Sequence, residues 1–147
     1  MRFLILNGPN INMIGIRNKE LYGNKTYNEV VKEIKSYCNH KNIIVEFFQS
    51  NSEEKIINYL QKNYNKFDNI VANLGAYTHY SYAIRDALEL TNATIAEVHI
   101  SDIDHREPFR KISVIEDIAK YRVIGKGTEG YIEAIKLLEE QAWKKKQ

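Results

Sequence analysis

The stretch Phe3-Leu4-Ile5-Leu6, followed at once by Asn7-Gly8-Pro9, is an uninterrupted apolar run that ends in turn-forming residues. Such a run predicts a strand that is buried on both faces. Strands of this kind belong to parallel sheets with helices on both sides. The first residues of the chain therefore already indicate an α/β fold.

The rest of the chain repeats this alternation of strands and helices. Four further strands are predicted, at residues 43–48, 69–73, 94–100 and 122–124. Thr26 with Glu29, and Ser50 with Glu53, have the spacing of capping pairs and predict two helix starts. Two more helices are predicted over residues 81–90 and from about residue 131 onwards. The order predicts one flavodoxin-like doubly wound domain over residues 1–147, with a five-stranded parallel sheet covered by helices on both faces.

Composition places the chain among globular proteins. It is 44% hydrophobic and 27% charged with a formal net charge of +2, which indicates neither disorder nor nucleic-acid binding. The basic tail Lys144-Lys145-Lys146 is interpreted as a solvated chain end. Cys38 is the single cysteine and falls on an apolar helical face, so we interpret it as a packing residue rather than a nucleophile. With no disulfide, signal or membrane-spanning segment indicated, we expect a cytoplasmic protein that does not bind membranes.

Ligands of open parallel sheets bind beyond the carboxyl ends of the strands. The segments that follow predicted strand ends are residues 7–24, 73–80, 99–110 and 125–130. The first and third are long and polar for strand-to-helix connections, which is typical of functional loops. We therefore expect the functional site at this edge of the sheet.

Two motifs at this edge admit a cofactor interpretation. Gly125-x-Gly127-x-x-Gly130 has the glycine spacing of a dinucleotide-binding loop. That motif requires a further strand with an acidic residue beyond its helix, so close packing of helix on sheet is the favoured interpretation. The segment His99 to His105 contains imidazoles and carboxylates that metals bind, but its spacing matches no metal motif. No metal or organic cofactor is predicted.

Four collinear blocks of sequence carry a more specific signal than any single motif. The first is Leu6-Asn7-Gly8-Pro9-Asn10-Ile11-Asn12, together with Gly15, Arg17 and Leu21-Tyr22-Gly23. The other three are residues 73–79, 83–87 and 97–101, and the last is extended by Arg106-Glu107 and Phe109-Arg110. Together they resemble the signature of the type II 3-dehydroquinate dehydratases over nearly the whole chain. Most of the blocks fall at the predicted strand ends.

This resemblance implies the dehydration of 3-dehydroquinate to 3-dehydroshikimate through an enolate, a step of the shikimate pathway of aromatic amino acid biosynthesis. By position, it makes Tyr22 the general base, with Arg17 beside its phenol. His99 would be the general acid that protonates the departing hydroxyl. Asn10 would help to hold a water that stabilises the enolate.

The resemblance also implies which residues bind the substrate. Asn73 would bind it and support His99, whereas the backbone of Ile100 and the side chain of Ser101 would hold its carboxylate. His79 and Arg110 would contact the ring hydroxyls or form the wall of the site. Asp86 would reach the site of a neighbouring subunit, because the family forms homododecamers built from trimers. Whether Arg106 contacts the substrate or braces the site is left open.

The chemistry explains why these groups are needed together. A tyrosine is almost wholly protonated at neutral pH, so we interpret Arg17 as the cation that favours the Tyr22 phenolate. Hydroxide is a poor leaving group, which accounts for an acid such as His99. The substrate ketone already acidifies the proton to be removed, so the reaction demands neither a metal nor a covalent imine. Gly15 and Gly23 bracket the segment that contains the base, and we expect this segment to be a mobile lid.

Four positions depart from the family pattern: Asn18, Leu74, Asp102 and Asp104. None of them removes a proposed catalytic group. If Asp102 faced His99, it would stabilise the imidazolium and extend activity to higher pH. Two other classes of function stay open for a fold that hosts many activities, namely a catalytically silent binding or signalling module and a metal hydrolase.

Overall fold

The fold is built around five parallel strands, and a computed structural model describes all of residues 1–147. The strands are β1 (Arg2–Asn7), β2 (Ile44–Gln49), β3 (Asn69–Asn73), β4 (Thr94–His99) and β5 (Tyr121–Ile124). Their spatial order is β2-β1-β3-β4-β5, and every neighbouring pair is parallel. This is the flavodoxin-like order, so the predicted doubly wound α/β fold is confirmed.

Five helices connect or follow the strands: α1 (Lys19–Tyr22), α2 (Tyr27–His40), α3 (Glu53–Lys62), α4 (Tyr82–Glu89) and α5 (Gly130–Lys146). The predicted cap of α2 is present, because Thr26 Oγ1 accepts from the backbone N–H of Glu29 at 3.2 Å. The predicted cap of α3 was wrong by two residues. Ser52 caps that helix, whereas the Ser50 hydroxyl accepts from the N–H of Ser52 in a local turn. None of the helices combines the length and the apolar character needed to cross a bilayer.

The core has two halves, one on each face of the sheet. Phe3 and Ile5 pack with α2 and α5, whereas Leu4 and Leu6 pack with α3 and α4. The halves alternate along β1 because successive side chains of a strand point to opposite faces. Cys38 is fully buried in the first half, where burial and the charge of Glu139 raise the pKa of its thiol to about 11. Its surroundings agree with a packing role.

The loops that follow β1 and β3 are pressed together at the carboxyl edge of the sheet. The N–H of Gly8 donates to the carbonyl oxygen of Asn73 at 2.8 Å. A Cβ atom at Gly8 would lie 2.1 Å from the carbonyl oxygen of Leu74, so only glycine fits there. The Leu74 side chain is itself fully buried in the core against α3 and α4, which accounts for an apolar residue at this position. This close contact brings the loops after β1 and β3 together at one edge of the sheet.

Candidate active site

A cavity of about 140 Å³ opens where β1, β3 and β4 end. It is smaller than the ~300–1,000 Å³ pockets that hold drug-sized molecules, and it therefore suits a small ligand. Its lining is made of these residues: Pro9, Asn10, Ile11, Arg17, Tyr22, Asn73, Gly75, Ala76, His79, His99, Ile100, Ser101, Ile103, Arg106 and Arg110. All of the predicted site residues are among them except Asp86, which is exposed on α4. A larger hollow of about 430 Å³ lies beside Trp143 at the opposite end of the sheet.

Tyr22 is held between two arginines. Its side chain is only 8% exposed. Arg17 Nη2 donates to the phenol oxygen at 3.0 Å, and the guanidinium carbon of Arg17 lies 4.0 Å from the ring centroid. Arg106 Nη1 donates to the same oxygen at 2.8 Å and to Ser101 Oγ at 3.2 Å. Two guanidinium groups therefore donate to one phenol oxygen, so Arg106 contacts Tyr22 as well as lining the cavity.

The loop that carries Tyr22 is shaped by its own sequence. Asn18 caps α1, because its side chain accepts from the N–H of Glu20 at 3.1 Å. Gly23 ends α1 with a positive φ of 80°. Gly15 has a φ of 91°, and a Cβ atom there would lie 2.9 Å from the carbonyl oxygen of Lys25. The departure at Asn18 thus supplies the cap of the helical turn that positions the tyrosine.

His99 ends β4 and is paired with a fully buried carboxylate, Glu97. His99 Nε2 lies 2.5 Å from Glu97 Oε2, and no residue of the chain is hydrogen-bonded to Nδ1. The same carboxylate accepts from Ser113 Oγ at 2.7 Å and from Arg122 Nε at 2.9 Å. Burial alone would raise the pKa of Glu97, but the bonds from His99 and Ser113 and the charge of Arg122 bring it below its ordinary value. Glu97 is therefore an ionised acceptor.

Glu97, Ser113 and Arg122 are residues around His99 for which no role was predicted. A signal for Glu97 was present, because it is an acidic residue inside an apolar strand and two positions before the histidine. Residues two apart on a strand lie on the same face, so the pairing could have been anticipated. Ser113 and Arg122 come from other segments, and no local pattern indicates them.

Asp102 does not face His99, so the hypothesis of its direct effect on that histidine was wrong. Its carboxylate lies 2.7 Å from His105 Nδ1 and accepts from the N–H of Asp104 at 3.2 Å. The chain turns into a short 3-10 segment directly after β4, and Asp102 caps that segment. The Asp102 carboxylate makes its hydrogen bonds within this local turn, and it is Glu97 that lies beside the His99 imidazole.

Asn73 lines the cavity, but its side chain makes its hydrogen bonds to Tyr131 and Gly75 and not to His99. Its Nδ2 donates to the Tyr131 hydroxyl at 3.0 Å, and its Oδ1 accepts from the N–H of Gly75 at 3.3 Å. The Tyr131 hydroxyl donates to Asn7 Oδ1 at 2.6 Å, and Asn7 Nδ2 donates to the Tyr27 hydroxyl at 3.3 Å. The amide of Asn73 is thus fixed from below by a buried polar network.

His79, from the loop after β3, and Arg110, from the loop after β4, line the same part of the cavity. His79 Nδ1 lies 2.7 Å from the carbonyl oxygen of Ile112, and Arg110 pairs with Glu107. Burial lowers the pKa of His79; its bond to the carbonyl of Ile112 acts in the opposite direction, while the charges of His99 and Arg110 lower it further. A mainly neutral His79 can exchange hydrogen bonds with hydroxyl groups of a ligand.

Asn10 adopts a left-handed conformation with a φ of 67°, and its N–H donates to Asn51 Oδ1 at 3.1 Å. Its side-chain amide makes no hydrogen bond within the chain, and the residue lines the cavity. Ile100 and Ser101 are buried directly after β4 and line the cavity beside it. Amide, hydroxyl and guanidinium groups therefore surround a small polar space.

The two cofactor-like motifs serve the packing and the turns of the fold. Gly130 packs on the sheet, because a Cβ atom there would lie 3.4 Å from Val123 and 3.5 Å from Val98. Gly125 and Gly127 have positive φ angles, at the turn between β5 and α5. In the segment His99 to His105 the histidines turn to different carboxylates, and no group of three or more potential metal-binding side chains converges in the structure.

Comparisons with known proteins decide the family. The profile of the family described as "Dehydroquinase class II" matches residues 1–139. The chain belongs to the class II dehydroquinase family. The 3-dehydroquinate dehydratase of Clostridium acetobutylicum is 49% identical over 94% of this chain and 96% of its own. The crystal structure of the type II dehydroquinase from Butyrivibrio crossotus has a TM-score of 0.91 at 51% identity, over 95% of this chain and 97% of that one. The match to the class II dehydroquinase profile takes in all the strands and all the cavity residues described above.

Proposed function

We propose that this class II dehydroquinase is a hydro-lyase that converts 3-dehydroquinate into 3-dehydroshikimate and water, in the shikimate pathway of the cytoplasm. Residues 1–147 would act as one catalytic domain. The observation that carries the proposal is the pairing of an arginine-bound tyrosine and a carboxylate-bound histidine on one small cavity. One group can take a proton and the other can give one, as a dehydration requires.

The reaction begins when the Tyr22 phenolate removes a proton from the carbon beside the substrate ketone. The electron pair moves into a carbon–carbon double bond, and the ketone oxygen becomes an enolate oxygen. Arg17 and Arg106 stabilise the phenolate before the transfer. The free amide of Asn10 helps to hold a water against the enolate, which is the high-energy species.

The enolate then collapses and expels the hydroxyl group on the neighbouring carbon. His99 gives this group a proton, so that water leaves rather than hydroxide. Glu97 holds the imidazole in place, and its negative charge stabilises the imidazolium form that donates. A third proton transfer, from the Tyr22 phenol through solvent to His99, restores both groups for the next turnover.

The remaining cavity residues orient the ligand. The backbone of Ile100 and the Ser101 hydroxyl bind its carboxylate, with Arg106 adding positive charge beside Ser101. His79 and Arg110 contact the ring hydroxyls, and the fixed amide of Asn73 binds the substrate from the opposite side. Fixed polar partners of this kind reduce the entropy that the bound ring must lose before it reacts.

The direct test is ultraviolet absorbance of the purified, chelator-treated protein mixed with 3-dehydroquinate. We expect the absorbance of the conjugated product to appear. A flat trace from folded, assembled protein would favour a binding module of the same fold.

Tyr22→Phe and His99→Ala should each lower kcat by about 100-fold or more, the usual range for acid–base groups. The matched controls Tyr64→Phe and His40→Ala alter exposed residues and should leave kcat unchanged.

We infer that the segment between Gly15 and Gly23 moves when substrate binds. It holds Arg17 and Tyr22, and its exposed residues bury little apolar surface. A lid that closes over the ligand excludes water and strengthens the charge interactions around the phenolate. Hydrogen exchange of this segment should slow when a substrate analogue is added. Equal exchange with and without the analogue would contradict the inference.

We also infer that the chain assembles as a homododecamer built from trimers, in which Asp86 of one subunit completes the site of a neighbouring subunit. Asp86 is exposed and lies outside its own cavity, and the large side chains of Tyr80 and Tyr82 nearby are more than half exposed. Sedimentation would measure the assembly. Mixed refolding of Asp86→Ala and Tyr22→Phe subunits should restore activity above either variant alone, because some sites then have both residues. No recovery in verified mixed oligomers would contradict a shared site.

A further inference from the structure

Arg122 is placed beside Glu97 by the register of the sheet. Strands β4 and β5 are parallel neighbours, and Glu97 is directly opposite Arg122 in their pairing. Arg122 Nε donates to Glu97 Oε1 at 2.9 Å, on the carboxylate oxygen that His99 does not use. Arg122 Nη1 donates to Glu116 at 3.0 Å, which fixes the guanidinium from its exposed side. The arginine thus touches neither the cavity nor the imidazole.

A buried carboxylate needs a compensating positive charge, because burial of an isolated charge is strongly unfavourable. Glu97 is fully buried and has two partners that can be positive, His99 and Arg122. The charge of His99 is temporary, since an acid catalyst becomes neutral each time it gives up its proton. Arginine remains protonated at every pH at which proteins fold. Only Arg122 can balance Glu97 throughout a catalytic cycle.

Without that permanent charge, the neutral stage of His99 would leave Glu97 as a lone buried anion. The carboxyl group would then take up a proton, and it could donate to the imidazole instead of accepting from it. Neutral imidazole has two tautomers, and the partner of one nitrogen decides which tautomer forms. A donating carboxyl group would reverse the tautomer, so that Nδ1 rather than Nε2 carried the ring proton.

We propose that Arg122 is a positioning residue that keeps Glu97 a hydrogen-bond acceptor and thereby fixes His99 with Nε2 protonated and Nδ1 free for the cavity. The proposal rests on the proposed function in one respect, which is that His99 delivers a proton to the ligand. Ser113 supports the arrangement, because its hydroxyl accepts from the N–H of Ile115 and so directs its own proton at Glu97.

The kinetic test compares Arg122→Gln and Arg122→Lys with the wild-type protein. A positioned acid contributes about 100- to 10,000-fold to a rate, and we expect Arg122→Gln to forfeit part of that gain and to lower kcat by about tenfold or more. KM should change little, because Arg122 does not touch the cavity. Arg122→Lys keeps the positive charge and should recover part of kcat. An unchanged kcat in a folded Arg122→Gln protein would overturn the proposal.

A double-mutant cycle separates an effect through Glu97 from a general loss of structure. In a Glu97→Gln background, Arg122→Gln should change kcat by less than about twofold, because the residue through which it acts is already altered. If the loss in kcat of the double variant equalled the product of the two single-variant losses, the proposal would be overturned. Arg85→Gln is the matched control, since Arg85 is 22% exposed against 23% for Arg122 and also pairs with a carboxylate. It should lower stability without changing the kcat of folded protein.

The tautomer of His99 can be measured without any turnover. Magic-angle-spinning ¹⁵N spectra of histidine-labelled protein, at a pH where the ring is neutral, distinguish the two tautomers, and His99→Asn identifies the signal. We expect Nε2–H in the wild type, and a second population with Nδ1–H in Arg122→Gln but not in Arg85→Gln. A single unchanged tautomer would overturn the proposal. If the wild type does not convert 3-dehydroquinate, this measurement still decides the role of Arg122, so the two failures are distinguishable.

Discussion

Replacing Tyr131 by phenylalanine removes one oxygen atom from the centre of the protein. The tyrosine is 1% exposed, and its hydroxyl accepts from Asn73 and donates to Asn7. The ring belongs to the core half that contains Phe3 and Ile5, and phenylalanine would keep that packing. Two buried amide groups would lose a partner, namely Asn73 Nδ2 and Asn7 Oδ1. The perturbation is therefore confined to the polar network beneath the cavity.

The expected cost follows from those two groups. A buried polar group without a partner costs about 1–3 kcal/mol. Two such groups give about 2–6 kcal/mol, and the phenol no longer has to be desolvated, so we expect a loss of about 2–4 kcal/mol in the free energy of unfolding. Urea unfolding at one fixed protein concentration measures this loss, since oligomer stability depends on concentration. The m-value should stay the same.

The matched control is Tyr37→Phe. The Tyr37 hydroxyl donates to Glu139 at 3.2 Å in a partly exposed position, where water can replace it. We expect a loss below about 1 kcal/mol. Tyr131→Phe should also raise KM more than it lowers kcat, because the freed amide of Asn73 lines the cavity. A stability change in Tyr131→Phe no larger than in the control would refute the idea that the buried network fixes Asn73.

Three other contacts lead to predictions of their own. Arg106→Gln should lower kcat by about tenfold or more, because one of the two charge-assisted bonds to Tyr22 is lost, each worth ~1.5–3 kcal/mol; a steady-state assay in which only KM changed would contradict this. Asp102→Asn should leave the pH dependence of kcat unchanged, because that carboxylate binds His105; a shifted pH profile would show a coupling to His99 that the contacts do not support. Cys38 should react with a thiol reagent only when the protein unfolds, because burial and the charge of Glu139 raise the pKa of its thiol to about 11; rapid labelling of native protein would disprove this.

The predictions made from the sequence succeeded where the signal is local. An unbroken apolar run such as that of β1 indicates a buried strand because burial on both faces excludes polar residues. The prediction of the Thr26 cap was confirmed because a capping pair is a pattern of only four consecutive residues. At α3 two serines compete for the same role, and the choice of Ser52 over Ser50 depends on a turn that sequence spacing does not distinguish.

The sequence by itself indicated the fold class and predicted that polar residues from separate loops meet at the carboxyl edge of the sheet, where the cavity lies. The tertiary structure decided which of those residues touch one another. Arg106 reaches Tyr22 across 84 positions of sequence, and Asn73 reaches Tyr131 across 58. Glu97 meets Arg122 only because β4 and β5 pair in one register. Apolar periodicity and capping act over one or two turns of chain, whereas these contacts depend on how strands align and loops close, which no local pattern encodes.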